Sequence, residues 1–255
     1  MSHRHVSGLL LVVALALAAG CATNGPPSGE RETNPADPWE PMNRRIHGFN
    51  SSLDKYAAKP IAEGYEKVIP EVMRKGVRNF SNNLRGPLHI INNLLQGKAG
   101  DGASETGRFL VNSTVGILGL FDVAGAMGMD NHNEDFGQTL AVWGVPDGPF
   151  VMVPFAGPQT LRDALAWPLD FLVDPLFHYE NASVRDKLYA IRLVDLRARY
   201  LPLEGLLEDS YDEYVTIREA YLQNRRFQIY DGDPPEDEDF YDDFYGEFPD
   251  DDEQE

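Results

Sequence analysis

Residues 109–121 read Phe-Leu-Val-Asn-Ser-Thr-Val-Gly-Ile-Leu-Gly-Leu-Phe and are the most apolar stretch beyond the first 20 residues of the 255-residue chain. The stretch has no charged residue, and Arg108 and Asp122 flank it. It is too short for a helix that spans a bilayer, which needs about 20 residues. Two interpretations remain, a buried core helix or a helix that lies in or dips into a membrane. The residues alone favour the core helix.

The segments before this stretch have the apolar periodicity of amphipathic helices. Asp37-Pro38-Trp39-Glu40 predicts a helix start with Asp37 as the cap, and Pro60 is expected to end this helix. A second helix is predicted to open at Pro70 and to be interrupted at Gly86-Pro87. Apolar residues recur at steps of three and four at Ile46, Phe49, Leu53 and Tyr56, and again at Met73, Val77, Phe80 and Leu84.

Residues 135–158 are dense in glycine, proline and aromatic residues. This composition predicts a structured loop or very short strands, and not a helix. A helical stretch is expected to begin at Thr160. The pair Arg162-Asp163 has two interpretations, hydrogen bonds that fix the shape of the loop or an arginine that faces an anionic head group. The sequence favours the first.

The C-terminal third predicts two more helices. Capping-box patterns begin at Ser183 and at Ser210, and the last helix is expected to run to about Phe227. Strand signals are few, and no internal repeat is visible. The fold class is therefore mainly α, with a single domain over residues 37–229 that combines amphipathic and short apolar helices with a Gly/Pro/aromatic loop region.

The charge excludes some classes of function. The chain has 41 Asp and Glu against 22 Lys and Arg, a formal net charge of −19. This excess argues against nucleic-acid binding, which needs cations to replace the counterions of phosphate. Hydrophobic residues make up 42%, which is enough for a folded core. Fourteen acids lie in residues 231–255, so residues 230–255 are predicted to be a disordered acidic tail, which could dock a basic partner.

The N-terminus has the layout of a bacterial secretory signal. An apolar run from Val6 to Leu17 leads through Ala18-Ala19-Gly20 to Cys21, the only cysteine. This arrangement resembles a lipobox, in which cleavage precedes the cysteine and lipid is attached to it; an ordinary signal peptide with an incidental cysteine is the alternative. Residues 1–20 are thus predicted to be a lipoprotein signal peptide, Cys21 the lipid anchor and residues 21–36 a flexible tether. Ala22, where an aspartate would retain the protein at the inner membrane, indicates the outer membrane.

Motifs of catalysis are missing from the sequence. There is no Gly-x-Ser-x-Gly elbow, His-Glu-x-x-His pair or phosphate-binding loop, so neither an enzyme nor a cofactor is predicted, and a lipid hydrolase is disfavoured. Asp130, His132, Glu134 and Asp135 offer ligand atoms, but their spacing fits no standard site. No metal is therefore predicted.

Several motifs in order resemble the VacJ/MlaA family of outer-membrane lipoproteins. Asp37–Asn50 resembles the opening motif of the family, Arg108–Ala124 its central motif and Arg218–Gln223 its last helix. Between the last two stand Phe136-Gly-Gln-Thr-Leu, Trp143-Gly-Val, Gly148-Pro-Phe-Val, Val153-Pro-Phe and Thr160-Leu-Arg-Asp163. The resemblance covers about residues 37–228.

This resemblance implies a fold and a function. The fold is a helical disc that lies in the inner leaflet of the outer membrane around an amphipathic channel, exposed to the periplasm and associated with trimeric porins. The resemblance further implies that the protein removes mislocalised phospholipid from the outer leaflet and hands it to a periplasmic lipid-carrier protein of the Mla pathway, which maintains lipid asymmetry without hydrolysis. The opening motif bears on the open or closed state of the channel, a role that falls by match on Met42 and Asn43. A scaffolding lipoprotein without a lipid path is the alternative.

Polar residues inside apolar stretches can supply the polar wall of such a channel, although capping or buried hydrogen bonding also explains each one singly. The channel or gating candidates are Met42, Asn43, Phe49, Asn50, Asn112, Ser113 and Thr114. The loop-shaping candidates are Phe136, Gly137, Trp143, Gly144, Pro154, Phe155, Arg162 and Asp163.

Overall fold

The computed structural model describes residues 34–235. The predicted signal peptide, Cys21, most of the tether and the tail beyond residue 235 lie outside the described residues. Within them the chain is mainly helical, as predicted, with one two-stranded sheet. No helix of residues 34–235 has both the length and the hydropathy needed to cross a bilayer.

The first helical segment continues past Pro60, so the end predicted at this residue is wrong. α1 spans Glu40–Leu53, a π-helical turn spans Asp54–Ala58, and α2 spans Lys59–Val68. Pro60 lies in the first turn of α2, directly after the π turn. Proline has no N–H to donate to a carbonyl of the preceding turn, but it is tolerated in the first turn of a helix. The helical path therefore continues through the π turn into α2.

Asp37 does not cap α1, contrary to the prediction. Trp39 is at the cap position, and no side chain accepts a hydrogen bond there. Asp37 is instead buried, and its carboxylate accepts hydrogen bonds from Asn43 (2.8 Å) and Arg218 (3.1 Å). Asp37 therefore joins the start of α1 to the C-terminal part of the chain.

The helix predicted to open at Pro70 is confirmed, and it ends just before Gly86-Pro87, as predicted, whereas the next two helices start at positions that the sequence did not predict. The bounds of these central helices are Glu71–Leu84 for α3, Gly86–Leu95 for α4, Ala99–Thr114 for α5 and Val123–Ala126 for α6. α4 and α5 pack so closely at Gly86 that a Cβ there would overlap the ring of Phe109. Asn92 and Asn93 are fully buried on α4.

Residues 109–121 are neither one helix nor buried, so the predicted core helix is wrong. α5 ends at Thr114, and residues 115–121, here called the apolar loop, form a series of turns. Ile117 and Leu118 adopt φ angles of 53° and 56°, which a right-handed helix cannot contain. Four side chains of the loop are more than half exposed: Val115, Ile117, Leu118 and Phe121.

The Gly- and Pro-rich region contains a helix that contradicts the prediction. α7 spans Phe136–Val142, and Asp135 caps it by accepting a hydrogen bond from Gln138 N (2.9 Å). The short strands that the sequence predicts follow it, β1 at Phe150–Val153 and β2 at Gly157–Thr160.

The hairpin leads directly into the next helix. Phe150 lies opposite Thr160 and Val153 opposite Gly157 in an antiparallel register. α8 spans Leu161–Val173, and the Thr160 hydroxyl caps it by accepting a hydrogen bond from Asp163 N (3.2 Å). The predicted helix start at Thr160 is confirmed.

The C-terminal part is helical, as predicted. Its elements are α9 at Ala182–Tyr200, a 3-10 turn at Leu201–Leu203, α10 at Glu204–Glu208 and α11 at Glu213–Ile229. The cap of α9 is Asn181 rather than the predicted Ser183, because the Asn181 side chain accepts the hydrogen bond from Val184 N (3.2 Å). Asp212 caps α11 in the same way.

The fully buried apolar core is small and lies where the hairpin meets α11. Phe150 and Met152 of β1 pack against Tyr214, and the Phe150 and Tyr214 ring centroids are 6.2 Å apart. Partly buried residues surround this core: Ile46, Val215, Ile217, Tyr221 and Leu222. Many other large apolar side chains are left outside it.

Candidate functional site

Large apolar side chains are exposed along much of the described chain. Three sets of them are Met42, Phe49, Leu53, Tyr56, Ile61, Val68, Val72 and Met73 from α1 to α3; Leu110 of α5 with Val115, Ile117, Leu118 and Phe121 of the apolar loop; and Leu165, Trp167, Leu169, Phe171 and Leu172 on α8. Single exposed apolar residues are ordinary, but extended sets mark contact with protein, ligand or membrane. This surface is therefore the first feature that points to function.

An apolar cavity of about 310 Å³ lies on one side of α3. Its lining comes from α3 (Val77, Phe80, Ser81 and Leu84), from the apolar loop (Ile117, Leu118 and Leu120) and from Leu176, Leu188, Ile191 and Arg192. The α3 residues recur at steps of three, one and three, so they share one face of the helix. The cavity has the character of a site for hydrocarbon chains.

A smaller polar cavity of about 60 Å³ lies on the other side of α3. Its α3 residues, Asn79, Asn82 and Asn83, lie on the face opposite Val77, Phe80 and Leu84. The rest of the lining is Gly86, His89, Glu105, Arg108, Phe109, Asn112, Asp122, Asn131 and Asn133. α3 thus separates an apolar space from a polar one.

The apolar loop is attached to the polar face of α3. Asn79 Nδ2 donates to Leu120 O (3.2 Å), and Asn83 Nδ2 donates to Ser113 Oγ (2.9 Å) and to Leu118 O (3.4 Å). The loop therefore bonds to one face of α3 through its backbone and lines the cavity on the opposite face with side chains. Left-handed φ angles at non-glycine residues cost free energy and persist only when the surroundings impose them.

Asn112 and Asp122 close the base of this loop. Asn112 Nδ2 donates to Asp122 Oδ1 (2.9 Å), and Ala124 N donates to Asn112 Oδ1 (2.9 Å). Burial alone would raise the pKa of Asp122, but hydrogen bonds from Gly125 N and Asn112 hold it below its usual value. Arg108 also contacts Asp122 (3.2 Å), so the carboxylate is ionised and well bonded.

Three of the four candidates of the opening motif lie at the hairpin, and none of the four lines either cavity. Asn43 Nδ2 donates to Phe150 O (3.0 Å) and Asn43 Oδ1 accepts from Met152 N (2.9 Å). Asn50 bonds the next stretch of the same strand, and Phe49 packs edge-to-face on the exposed ring of Phe155 at 5.3 Å. The structure therefore divides the channel candidates. Asn43, Phe49 and Asn50 contact the hairpin, and Asn112, Ser113 and Thr114 lie at the end of α5 beside the apolar loop. Met42 is exposed on α1.

The loop-shaping candidates contact a network that the sequence reasoning missed. Arg225 of α11 donates to both carboxylate oxygens of Asp135 (2.7 Å each) and to Asp163 (2.8 Å). A Cβ at Gly137 would overlap Arg225 and Asp163. The missed signal is the spacing Tyr214, Arg218, Tyr221, Arg225, which recurs at steps of four, three and four on one face of α11.

The remaining loop-shaping candidates have local partners. Arg162 is buried and contacts Asp147 and Asp163, so its guanidinium faces carboxylates. Trp143 Nε1 donates to Leu95 O (3.1 Å), and Gly144 adopts a φ of 87° that favours glycine. Phe136 N donates to Asp170 Oδ1 (3.0 Å), and Pro154 and Phe155 form the exposed hairpin turn.

The acidic run before α7 is divided among separate partners. Glu134 pairs with Lys98 (2.9 Å), Asp135 pairs with Arg225, and His132 N donates to Glu105 (2.6 Å). Across residues 34–235, no three His, Cys, Asp or Glu side chains are placed to hold a metal ion together.

His89 is a buried titratable group beside the polar cavity. Its Nδ1 lies 2.9 Å from Glu134 O and 3.1 Å from Glu134 N, so the ring bonds the Glu134 backbone in either tautomer. Burial, with a contribution from the charge of Arg85, lowers the pKa of His89 to about 4. The imidazole is therefore neutral near pH 7 and adds no charge to the cavity.

Comparison with known proteins gives one consistent result. A family model described as MlaA lipoprotein matches residues 35–228. The intermembrane phospholipid transport system lipoprotein MlaA of Escherichia coli (strain K12) is 34% identical over 221 residues, 85% of this chain and 86% of that protein. The protein of the same name from Haemophilus influenzae is 32% identical over 232 residues, 89% of this chain and 90% of that one. A solved structure, described as a structural basis for maintenance of bacterial outer membrane lipid asymmetry, matches with a TM-score of 0.68 and 34% identity, over 76% of this chain and 98% of that chain.

Proposed function

The chain belongs to the MlaA lipoprotein family, and we propose that it removes mislocalised phospholipid from the outer leaflet of the outer membrane and hands it to a periplasmic carrier. Its curated relatives are lipoproteins of an intermembrane phospholipid transport system. No step of this function breaks a covalent bond, so it needs no catalytic residue.

The observation that carries the proposal is the pair of cavities on opposite faces of α3. A phospholipid needs apolar surface for its acyl chains and polar surface for its head group, and α3 offers both within the width of one helix, about 10 Å. The exposed side chains of Ile117 and Leu118 extend the apolar surface outward. A lipid that enters between bilayer and protein would meet this loop first.

The exposed apolar side chains also support embedding in one leaflet. None of the described helices is both long enough and apolar enough to span a bilayer, yet α1 to α3 and the apolar loop expose large apolar residues. Helices of this kind lie in the membrane interface. In the proposal the lipid on Cys21 anchors the chain, and the disc lies in the inner leaflet with its other side in the periplasm.

Contact with a trimeric porin is a further part of the proposal. α8 exposes Trp167 and Phe171, whose ring centroids are 5.4 Å apart, and Leu165 and Leu172 lie beside them in sequence. Aromatic residues are enriched where proteins meet one another. This surface supports an interface that holds the disc beside the lipid-facing wall of a barrel.

Two matched serines provide the test. Ser81 lines the apolar cavity and Ser52 is exposed on α1, and each hydroxyl donates to the carbonyl four residues earlier at 2.8 Å. S81W should fill the cavity, whereas S52W adds the same bulk outside it. In a deletion strain complemented by each variant, outer-leaflet phosphatidylethanolamine is labelled with an impermeant amine reagent. We expect S81W to resemble the deletion and S52W the unsubstituted protein, at equal protein levels.

The same strains separate the alternatives. A scaffolding lipoprotein without a lipid path predicts that S81W complements as well as S52W, and this result would overturn the proposal. Normal outer-leaflet composition in the deletion strain would also overturn it. Release of fatty acid by the purified protein would indicate a hydrolase instead.

A further inference from the structure

We propose that the polar cavity beside α3 binds the primary ammonium of an aminophospholipid head group, such as that of phosphatidylethanolamine. This inference rests on the proposed function, because it names the lipid class that the transport path selects. It depends on the partners, charge and size of the cavity lining.

Glu105 presents a carboxylate oxygen to this cavity that accepts no hydrogen bond from the described residues. Its side chain is only 4% exposed, and Oε1 accepts a hydrogen bond from His132 N (2.6 Å). Within residues 34–235 no group donates a hydrogen bond to Oε2. The nearest cation, Arg108, has its Nε 3.8 Å from Oε1, and its terminal nitrogens bond Met129 O and Asp122. Glu105 Oε2 is not among the enclosed side-chain atoms of residues 34–235 that lack a partner, so this oxygen is open to the cavity. An ammonium N–H in the cavity would donate to it, and a hydrogen bond between two charged groups is among the stronger ones.

The charge of the lining favours a cation. Glu105 and Asp122 contribute two negative charges, Arg108 contributes one positive charge and His89 is neutral. Burial raises the pKa of Glu105, although the His132 N–H and Arg108 act in the opposite direction. A cation bound beside the carboxylate would favour its charged form. A phosphoglycerol head group, which is a net anion, would meet a site of the same sign.

The size and the mouth of the cavity select a primary ammonium. About 60 Å³ can hold an aminomethyl group, given that one water occupies about 30 Å³ in the liquid. A trimethylammonium is larger, has no N–H to donate and is usually bound by several aromatic faces. Phe109 is the one benzene-type ring of the described lining, beside the imidazole of His89. Asn82, Asn131 and Asn133 are exposed at the cavity and can donate amide N–H groups to the adjoining phosphate.

The test measures head-group preference in the purified full chain. Delipidated protein in detergent is titrated with phosphatidylethanolamine, phosphatidylglycerol or phosphatidylcholine of identical acyl chains, and bound lipid is counted by native mass spectrometry. We expect phosphatidylethanolamine to bind at least tenfold more tightly than the other two. E105Q, which keeps the acceptor for His132 N, should lose that preference without weaker phosphatidylglycerol binding. E63Q, at an exposed residue of α2, is the matched control and should behave as the unsubstituted protein.

A second variant keeps the proposal testable if E105Q does not fold. Asn82 is exposed on α3, so N82K should be tolerated and should place an ammonium at the mouth. It is expected to weaken phosphatidylethanolamine binding and strengthen phosphatidylglycerol binding. Equal binding of the three lipids by the unsubstituted protein would overturn the head-group inference and leave the transport proposal standing, whereas no lipid binding at all would overturn both.

Soluble ligands distinguish the source of the ammonium. Free ethanolamine and phosphoethanolamine are added at millimolar concentration, and the thermal midpoint is followed. The inference expects little effect without the lipid's acyl chains. Strong protection by free ethanolamine would make the cavity a soluble-amine site, and displacement of phosphatidylethanolamine by Ca²⁺ or Mg²⁺ would make it a metal site; either outcome would overturn the proposal.

Discussion

Asn43 and Asn50 lie two turns apart on the same face of α1 and bind the backbone of the hairpin over residues 150–155 as a neighbouring strand would. Each side-chain amide donates to one carbonyl and accepts from one N–H, and all four hydrogen bonds measure 2.9–3.0 Å. β1 therefore has β2 on one edge and two helical asparagines on the other. The backbone N–H and C=O groups on the outer edge of this sheet therefore bond side chains of a helix and not a further strand.

The first prediction concerns Asn43. The side chain is fully buried, and it also donates to Asp37 (2.8 Å). N43A removes these bonds and leaves Phe150 O and Met152 N without the amide, whereas Asp37 keeps its hydrogen bonds from Arg218 and Tyr214. We expect the free energy of unfolding to fall by roughly 2–4 kcal/mol, because each unsatisfied buried group costs about 1–3 kcal/mol. Thermal or chemical denaturation in detergent measures the loss.

Asn50 provides the matched comparison. It makes the same pair of hydrogen bonds but is only partly buried, so water can replace part of what N50A removes. N50A should therefore destabilise by less than half as much as N43A. Equal losses from the two variants would show that burial does not set the strength of the attachment.

Much of the helical architecture could be predicted because the deciding contacts are local. The Thr160 hydroxyl caps α8 through a residue three positions later, and Pro70 precedes α3 directly. The role of Asp37 could not be predicted, because its partner Arg218 is 181 residues away. The Gly- and Pro-rich composition around α7 predicted a loop. Composition carries no information about Arg225, which lies 90 residues away and bonds Asp135, the cap of α7.

The second prediction concerns Gly119 in the apolar loop. Its φ is 88°, and a Cβ there would overlap the side chain of Asn83. G119A should lower the free energy of unfolding by at least about 1 kcal/mol, since alanine resists positive φ and Asn83 must also move away from Ser113 and Leu118. The thermal midpoint measures the change.

Gly48 is the control for this substitution. It lies within α1, and a Cβ there meets nothing within 4 Å. G48A should stabilise the protein by up to about 1 kcal/mol, because alanine is the better helix former. Destabilisation by both variants alike would show that the loop geometry is not what makes Gly119 sensitive.

The site was less predictable than the fold. Asn112 stands out in the sequence as an amide inside an apolar stretch, and the structure places it at the polar cavity. Glu105 gives no such signal, because its isolation arises only where α3, α5 and residues 131–133 close around it. The left-handed turn at Ile117 was also hidden, since its apolar neighbours read equally well as a helix.

The third prediction concerns Arg225. Its planar guanidinium contacts two carboxylates, Asp135 and Asp163, at 2.7–3.0 Å. Lysine keeps the charge but cannot reproduce this geometry. R225K should lower the free energy of unfolding by about 1.5–3 kcal/mol, the range for losing a hydrogen bond to a charged group while the charge is kept. R45K, at an exposed position of α1, is the control and should change the free energy of unfolding by less than about 0.5 kcal/mol. A similar loss in both variants would contradict the geometric argument.

The fourth prediction concerns the pH dependence of stability through Asp170. Burial is the main cause that raises the pKa of this carboxyl to about 6, and Phe136 N donates to it at 3.0 Å. In the unfolded chain its pKa is near 3.8. The folded state therefore binds the proton more tightly, so the stabilising contribution is complete below about pH 4 and is lost as pH rises through 6.

D170N tests this sign, because asparagine mimics the protonated acid and can still accept the hydrogen bond from Phe136 N. At pH 4 the variant and the unsubstituted protein should have similar stability. At pH 7 the unsubstituted protein carries a buried negative charge, so D170N should be the more stable of the two, by up to about 3 kcal/mol. Thermal unfolding of both proteins between pH 4 and pH 7 measures the difference. A difference that stays constant over this range, or that favours the unsubstituted protein at pH 7, would mean that Arg85 and Arg225 compensate the charge of Asp170 in the folded state.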